Sequence, residues 1–122
     1  MPTNLTFRTG NAVSISGAET SLAVNGGSTA SGGVQTLTNK GVYCLVLSST
    51  AMVKGDEYRW RVYEKPSTGA GQRLIMSGTI SDAQSEAIFT PHLMLGIGWN
   101  MTLQRTSTSS RAWNWTIRQV ST

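Results

Sequence analysis

Apolar residues along this chain recur mostly at every second position, the period of a β-strand with one buried face. Between Asp56 and Lys65, Tyr58, Trp60 and Val62 fall on one face, and Arg59, Arg61 and Tyr63 on the other. Trp99, Met101 and Leu103 alternate with Asn100, Thr102 and Gln104. Trp113, Trp115 and Ile117 alternate with Asn114, Thr116 and Arg118. Each pattern predicts a strand lying half on a core. Val120 is out of phase with Ile117, which predicts a bulge near Arg118-Gln119. Val42–Leu47 is continuously apolar and predicts a strand covered on both faces. Gln72–Thr79 predicts a strand with Leu74 and Met76 on one face, and Glu86–Thr90 a short strand stopped by Pro91. Asp82–Glu86 reads as a helical turn or a loop, and His92–Gly98 as an apolar connection of no assigned type.

Between these runs lie turn signals. Lys54-Gly55-Asp56 marks a turn, and Pro66–Gly71 and Thr106–Ser110 mark loops. Seven to nine strands follow, with no long amphipathic helix between them. The expected fold is all-β, an antiparallel β-sandwich or jelly roll in one domain. Trp60, Trp99, Trp113, Trp115, Tyr58, Val62, Leu74, Leu103, Ile117 and Val42–Leu47 are the expected core.

The N-terminal third differs. Residues 1–41 are Gly/Ser/Thr-rich, and their apolar residues come singly or in short alternations: Val13 and Ile15, Leu22 and Val24, Val34 and Leu37. The expected division is an extended arm with short strands over 1–41, looping at Asn25–Gly33, and a sandwich body over 42–122. Residues 1 to about 33 are expected to reach across a neighbouring subunit; the alternative is that Val13–Ile15 and Leu22–Val24 are edge strands of the same sandwich.

Composition narrows the function. Of 122 residues, 44 are Ser, Thr or Gly and only 13% are charged, which excludes a charge-driven disordered tail and disfavours a helical bundle. The net charge of +4 comes from scattered cations without a Lys or Arg run, a weak pointer to nucleic acid. No apolar run is long enough to span a membrane, and no basic-then-apolar leader is expected at the N-terminus. One Cys excludes an internal disulfide and a Cys-based zinc cage.

Candidate chemistry is sparse. His92 is the sole histidine and follows Pro91 in an apolar segment without an acid nearby, so it reads as a loop histidine. Cys44 sits in an apolar strand and reads as a small buried hydrophobe. Asp56, Glu57, Glu64, Asp82 and Glu86 match no glycosidase signature and read as surface acids. Gly96-Ile-Gly98 precedes Trp99-Asn100 and is no phosphate loop. The four Trp beside Arg59, Arg61, Arg111 and Arg118 have three readings: core, a base-stacking platform, or a sugar-stacking platform. Core is preferred, since Val62, Leu103 and Ile117 share the Trp faces. No residue is assigned a catalytic, cofactor-binding or metal-binding role, and the chain is expected not to be an enzyme.

The strand-and-turn pattern also carries a resemblance. It runs through Gly41-Val-Tyr-Cys-Leu-Val-Leu47, Gly55-Asp-Glu57, Arg61-Val-Tyr-Glu-Lys65, Arg73-Leu-Ile75, Trp99-Asn-Met-Thr-Leu-Gln-Arg-Thr106 and Arg111-Ala-Trp-Asn-Trp-Thr-Ile-Arg118. In this it resembles small β-rich structural proteins of tailed bacteriophages. The resemblance implies a virion component, a capsid decoration or cement protein that binds the major capsid protein and copies of itself. A tail or head–tail junction protein is the alternative within that class. A carbohydrate-binding receptor-recognition module and a single-stranded nucleic-acid binder are the alternatives outside it. No cofactor is expected, and the expected location is the virion, assembled in the host cytoplasm.

Overall fold

The computed structural model describes residues 3–15, 17, 19–22, 30–31, 41–65, 71–96 and 98–121. Its strands, in chain order, are β1 (Thr3–Ile15), β2 (Thr20–Ser21), β3 (Ala30–Ser31), β4 (Gly41–Ser48), β5 (Glu57–Glu64), β6 (Arg73–Ser81), β7 (Ile88–Phe89), β8 (Leu93–Leu95), β9 (Asn100–Arg105) and β10 (Arg111–Ser121). They form two five-stranded antiparallel sheets. Sheet 1 runs β1-β10-β4-β7, with β8 also on β4; sheet 2 runs β3-β2-β9-β5-β6. The expected all-β sandwich is the observed architecture. No helix occurs among the described residues: Asp82–Glu86 is irregular, and Asp82 takes a positive φ of 63°.

The period-two pattern places the core between the sheets. Tyr43, Leu45 and Leu47 of β4 and Trp113, Trp115 and Ile117 of β10 are buried, as are Tyr58 and Val62 of β5 and Met101 and Leu103 of β9. Aromatic rings join the layers: Tyr43 meets Trp99 at 4.5 Å between centroids, and Tyr58 meets Trp113 edge-on at 5.0 Å. The Trp115 indole N–H donates to the Leu22 carbonyl at 3.0 Å. The buried Trp113 Nε1 has no hydrogen-bond partner among the described residues.

Each sheet ends in a strand whose glycine faces a tryptophan. Gly10 of β1 is paired with Trp115 of β10, and Gly78 of β6 with Trp60 of β5. A Cβ built on Gly10 would lie 2.2 Å from the Trp115 ring, and one on Gly78 2.6 Å from the Trp60 ring. The missing side chain is the space in which each indole lies. An edge glycine is otherwise weak in a strand, and the cross-strand ring covers it.

Four expectations are corrected. Thr3–Ile15 is not an arm beyond the sandwich: it pairs with β10 from Thr3↔Ser121 to Ile15↔Arg111, and Thr20–Ser21 pairs with β9. Composition changes at residue 41, but both sheets take strands from before it. Val24, Val34, Leu37, most of the Asn25–Gly33 loop and residues 66–70 lie outside the described residues. The bulge falls on β1: Phe7 is the extra residue between Thr6↔Arg118 and Arg8↔Ile117, while β10 pairs with β4 without a break from Asn114 to Val120. Leu74 is 48% exposed, because Ile75 is an extra residue between Met76↔Val62 and Leu74↔Tyr63. That insertion turns Leu74 out to the Tyr63 side. Trp60 is half-buried, packed against the margin of the core rather than within it.

Pro91 shapes the far edge of sheet 1. β7 and β8 lie end to end on β4, with Val46↔Phe89 before the break and Val42↔Met94 after it. At the break, the Leu45 N–H donates to the Thr90 hydroxyl at 2.8 Å, and the Thr90 N–H donates to the Leu45 carbonyl at 2.9 Å. The threonine hydroxyl thus supplies the acceptor that a broken strand would leave missing.

Candidate functional site

The outward-facing positions at the centre of sheet 2 and along the β4–β7–β8 side of sheet 1 have opposite chemistry. On sheet 2 they are Arg59, Arg61 and Tyr63 of β5 and Asn100, Thr102 and Gln104 of β9, with exposed Leu74 of β6 beside Tyr63. Glu19, just before β2, closes over them. The Tyr63 hydroxyl donates to Glu19 Oε2, and the Thr102 hydroxyl donates to the same oxygen at 2.6 Å. Arg61 Nη1 lies 3.7 Å from that oxygen and donates to Gln104 Oε1 at 2.8 Å. Gln104 in turn donates to the Gly17 carbonyl at 2.8 Å, Arg59 to the Ser77 hydroxyl at 3.2 Å, and the Ser21 hydroxyl to Asn100 Oδ1 at 2.7 Å. Burial, and next the hydrogen bond and charge of Glu19, push Tyr63 up to about 12. The phenol therefore stays protonated across the neutral range, with its proton directed at Glu19. Most donors and acceptors are paired within the face, the buried Arg59 Nε being without a partner among the described residues, and the network forms a clasp holding the β1–β2 connection onto β5 and β9.

A second polar cluster ties one end of the sandwich. Asp56 is buried and accepts from Arg111 Nε at 2.7 Å and from the Val53 N–H at 2.9 Å. The Arg111 and Val53 hydrogen bonds hold its carboxyl below the usual range, outweighing the effect of burial. The Tyr58 hydroxyl donates to the Ile15 carbonyl at 2.9 Å and accepts from the Arg111 N–H at 2.7 Å. Asp56 is thus no surface acid, contrary to expectation. The other candidate carboxylates serve separate local roles: Glu57 accepts from the Thr106 hydroxyl, Glu64 from the Gly96 N–H, and Asp82 from the Gly55 N–H. Glu86 is exposed. Among the described residues, no group of three or more His, Cys, Asp or Glu is placed to hold a metal ion.

On sheet 1, the outward positions of β10 and β1, among them Asn114, Thr116, Arg118, Thr9 and Asn11, are polar, and those of β4, β7 and β8 form an apolar stripe. Val42, Cys44 and Val46 of β4 alternate with the inward Tyr43, Leu45 and Leu47. Met94, paired with Val42, is 84% exposed, and Phe89, paired with Val46, is 60% exposed. The Arg118 guanidinium lies over the Phe89 ring, 5.8 Å from its centroid. Cys44 is buried beneath this layer; burial pushes its thiol up, and the Arg118 charge opposes that more weakly. An apolar groove of about 370 Å³ runs along Gly41, Val42, Met94, Leu95 and Gly96. Across the same face, Thr9, Asn11, Val46, Ser48, Asn114 and Thr116 line a more polar groove of about 320 Å³.

His92 is exposed in the short link between β7 and β8. Trp99, Trp113 and Trp115 are buried, and Trp60 lies over Gly78, so the four indoles form no open stacking platform. Glu19, Phe89 and Met94 were not singled out by the sequence reading. Alternation within Ile88-Phe89 and Leu93-Met94-Leu95 holds the signal for the last two: the neighbours of each exposed residue turn inward.

No family model matches the chain, and no curated protein matches it. Among solved structures, the chain is similar to the crystal structure of the Yersinia pseudotuberculosis-derived mitogen (YPM), with a TM-score of 0.53 and 16% identity. The match covers 100% of this chain and 97% of that one. At this identity the likeness is one of fold, extending over the whole sandwich.

Proposed function

We propose that this chain is a non-enzymatic structural protein that works by docking, and within that class a decoration or cement protein on the capsid of a tailed phage. The observation that supports the reading is the outer face of sheet 1. An ordinary sandwich face in water is polar at alternate positions. Here those positions on β4 and its edge partners are Val42, Cys44, Val46, Phe89 and Met94, with the two largest side chains most exposed. Such a stripe gains by being covered, at roughly 25 cal/mol for each Å² of apolar surface removed from water. The major capsid protein is the partner that the sequence resemblance suggests, and a phage particle is the corresponding location. We read the strand order as a jelly roll: with β7 and β8 taken as one broken strand and β3 as an addition, successive strands pass between the sheets in a four-and-four arrangement, except β5 and β6, which pair as a hairpin in sheet 2. The mitogenic activity in the neighbour's name belongs to that protein; the shared fold does not carry it here.

The test is compositional. Particles of a phage encoding this chain are purified, and their proteins are quantified by mass spectrometry with antibody-gold labelling. The reading expects many copies per particle, with label on the shell. Particles without the protein would overturn the virion reading, and label restricted to the tail would replace the decoration role with the tail alternative.

A carbohydrate-binding module is the second reading, and one observation favours it: the polar groove over β1, β4 and β10 carries hydroxyl and amide side chains from Thr9, Asn11, Ser48 and Thr116. Binding on a glycan array that is lost in Thr116→Val would support it. Nucleic-acid binding draws less support, because Arg59 and Arg61 are engaged within their own face.

A further inference from the structure

We infer that the outer edge of β6, which pairs with no strand among the described residues, is a pairing surface for the β6 edge of a second copy of this chain. The observation is the contrast among the sheet edges. A strand edge exposes unpaired N–H and C=O groups, and natural sheets blunt it by shortness, proline, charge or bulges. The β7–β8 edge of sheet 1 is two short pieces divided at Pro91. The β1 edge is broken by two irregularities, between Thr6 and Arg8 and between Gly10 and Val13. In sheet 2, β3 is two residues long. On β6, the stretch Met76-Ser-Gly-Thr-Ile-Ser81 pairs with β5 in unbroken register from Met76↔Val62 to Ser81↔Glu57. It contains neither charge nor proline. Its bulge, at Ile75, precedes this stretch, and both Leu74 and Ile75 are exposed there.

The charges at the ends of β6 identify the occupant. Arg73 begins the strand and Asp82 directly follows it. Asp82 is held in place, its Oδ1 accepting the Gly55 N–H at 2.9 Å and its own N–H donating to the Asp56 carbonyl at 2.9 Å. Two β6 strands related by a two-fold axis run antiparallel, so each copy's Arg73 end meets the other's Asp82 end. Both ends are then attractive, whereas a parallel arrangement would set like charge beside like. The two-fold is closed, which limits the assembly to a dimer with one continuous ten-stranded sheet. This surface lies on a different sheet from the proposed docking stripe, so the inference stands apart from the virion reading. A dimer that fails to bind particles would support one and count against the other.

Sedimentation equilibrium of the purified chain, with hydrogen exchange followed at several protein concentrations, tests the pairing. The expected result is a monomer–dimer equilibrium in which protection of β6 amides rises with concentration. Thr79→Lys adds a charge at an exposed position of the edge and should weaken the dimer by about tenfold or more. Arg73→Gln should weaken it less and reduce its sensitivity to salt. Near-ultraviolet circular dichroism of the tryptophans checks that both variants are folded. A chain monomeric at all concentrations would overturn the inference. So would a dimer unaffected by folded Thr79→Lys, or one whose concentration-dependent protection maps to another strand.

Discussion

Inside, the two sheets contribute the same kind of material, and outside they part. Sheet 2 turns arginines, a tyrosine and side-chain amides outward, and Glu19 closes over them so that their hydrogen bonds are made within the chain. Along β4, β7 and β8, sheet 1 turns valines, a cysteine, Phe89 and Met94 outward and leaves the last two largely uncovered, beside the polar outward positions of β10 and β1. The polar face is thus the more self-contained, while the apolar face is the one that gains from a partner. Hydrogen bonding is satisfied locally and then has little left to offer, whereas apolar area keeps its driving force until something covers it. On these grounds the docking role is assigned to sheet 1, although sheet 2 carries more of the conspicuous residues.

The largest expected effects fall on the interior that both faces share. Trp115→Ala removes a buried indole, its bond to the Leu22 carbonyl and the cover over Gly10; it should cost about 3–5 kcal/mol by urea unfolding. Unchanged melting in that variant would return the indoles to the surface. Gly10→Val and Gly78→Val each drive a side chain into an indole ring, and overpacking of this kind costs about 1–3 kcal/mol or more. The Gly10 variant should suffer more, because Trp115 is enclosed while half-buried Trp60 can swing outward.

Smaller effects separate the faces. Tyr63→Phe removes one donor from the Glu19 clasp, and a hydrogen bond to a charged group contributes about 1.5–3 kcal/mol. The loss should therefore appear as a measurable fall in the urea midpoint. The same pair gives an alkaline signature. Tyr63 is raised in the folded state, so its contribution is complete below the ordinary tyrosine range near pH 10 and is lost as pH rises toward about 12. Asp56 has the opposite sign: its folded carboxyl is depressed, so its contribution holds above the ordinary carboxylate range and disappears as pH falls below it. Melting temperatures across both ranges should show two shoulders, the alkaline one absent from Tyr63→Phe. On sheet 1, Met94→Ser should change stability by no more than about 0.5 kcal/mol, since that side chain is already in water, and Phe89→Ser by about 0.5–1 kcal/mol, since it also removes the Arg118 contact. A loss well beyond these values would mean that they act in folding rather than docking.

The sandwich was legible wherever bulky residues alternate with polar ones, as at Tyr58-Arg-Trp-Arg-Val62 and Trp113-Asn-Trp-Thr-Ile117, because period two with large side chains admits one reading. β1 was harder: Thr, Asn and Gly carry little burial signal, and its partner lies at the opposite end of the chain. The positions of the bulges were hidden for a related reason. A bulge is a mismatch between two strands, so Phe7 and Ile75 become extra only once the partner's register is known. Of the site, the aromatic core was legible and the clasp was not. Glu19 looks like an ordinary loop acid until the fold brings Tyr63 and Thr102, 44 and 83 residues away, onto the same oxygen. Asp56 likewise reads as a turn residue until Arg111, 55 positions later, encloses it. The exposure of Phe89 and Met94 depends on how a strand broken at Pro91 lies along β4, a tertiary fact that alternation only partly encodes.

The most direct measurement of the central claim uses Met94→Lys, which places a charge in the middle of the apolar stripe without touching the core. Shells purified without the protein are mixed with wild-type or variant chain, and the bound fraction is read by co-sedimentation while melting is followed in parallel. The account predicts melting unchanged within about 1 °C, since substitutions at exposed sites have little effect on stability. It also predicts binding weakened by about tenfold or more, equivalent to about 1.4 kcal/mol. Binding equal to wild type by a folded Met94→Lys protein would contradict the assignment of docking to sheet 1.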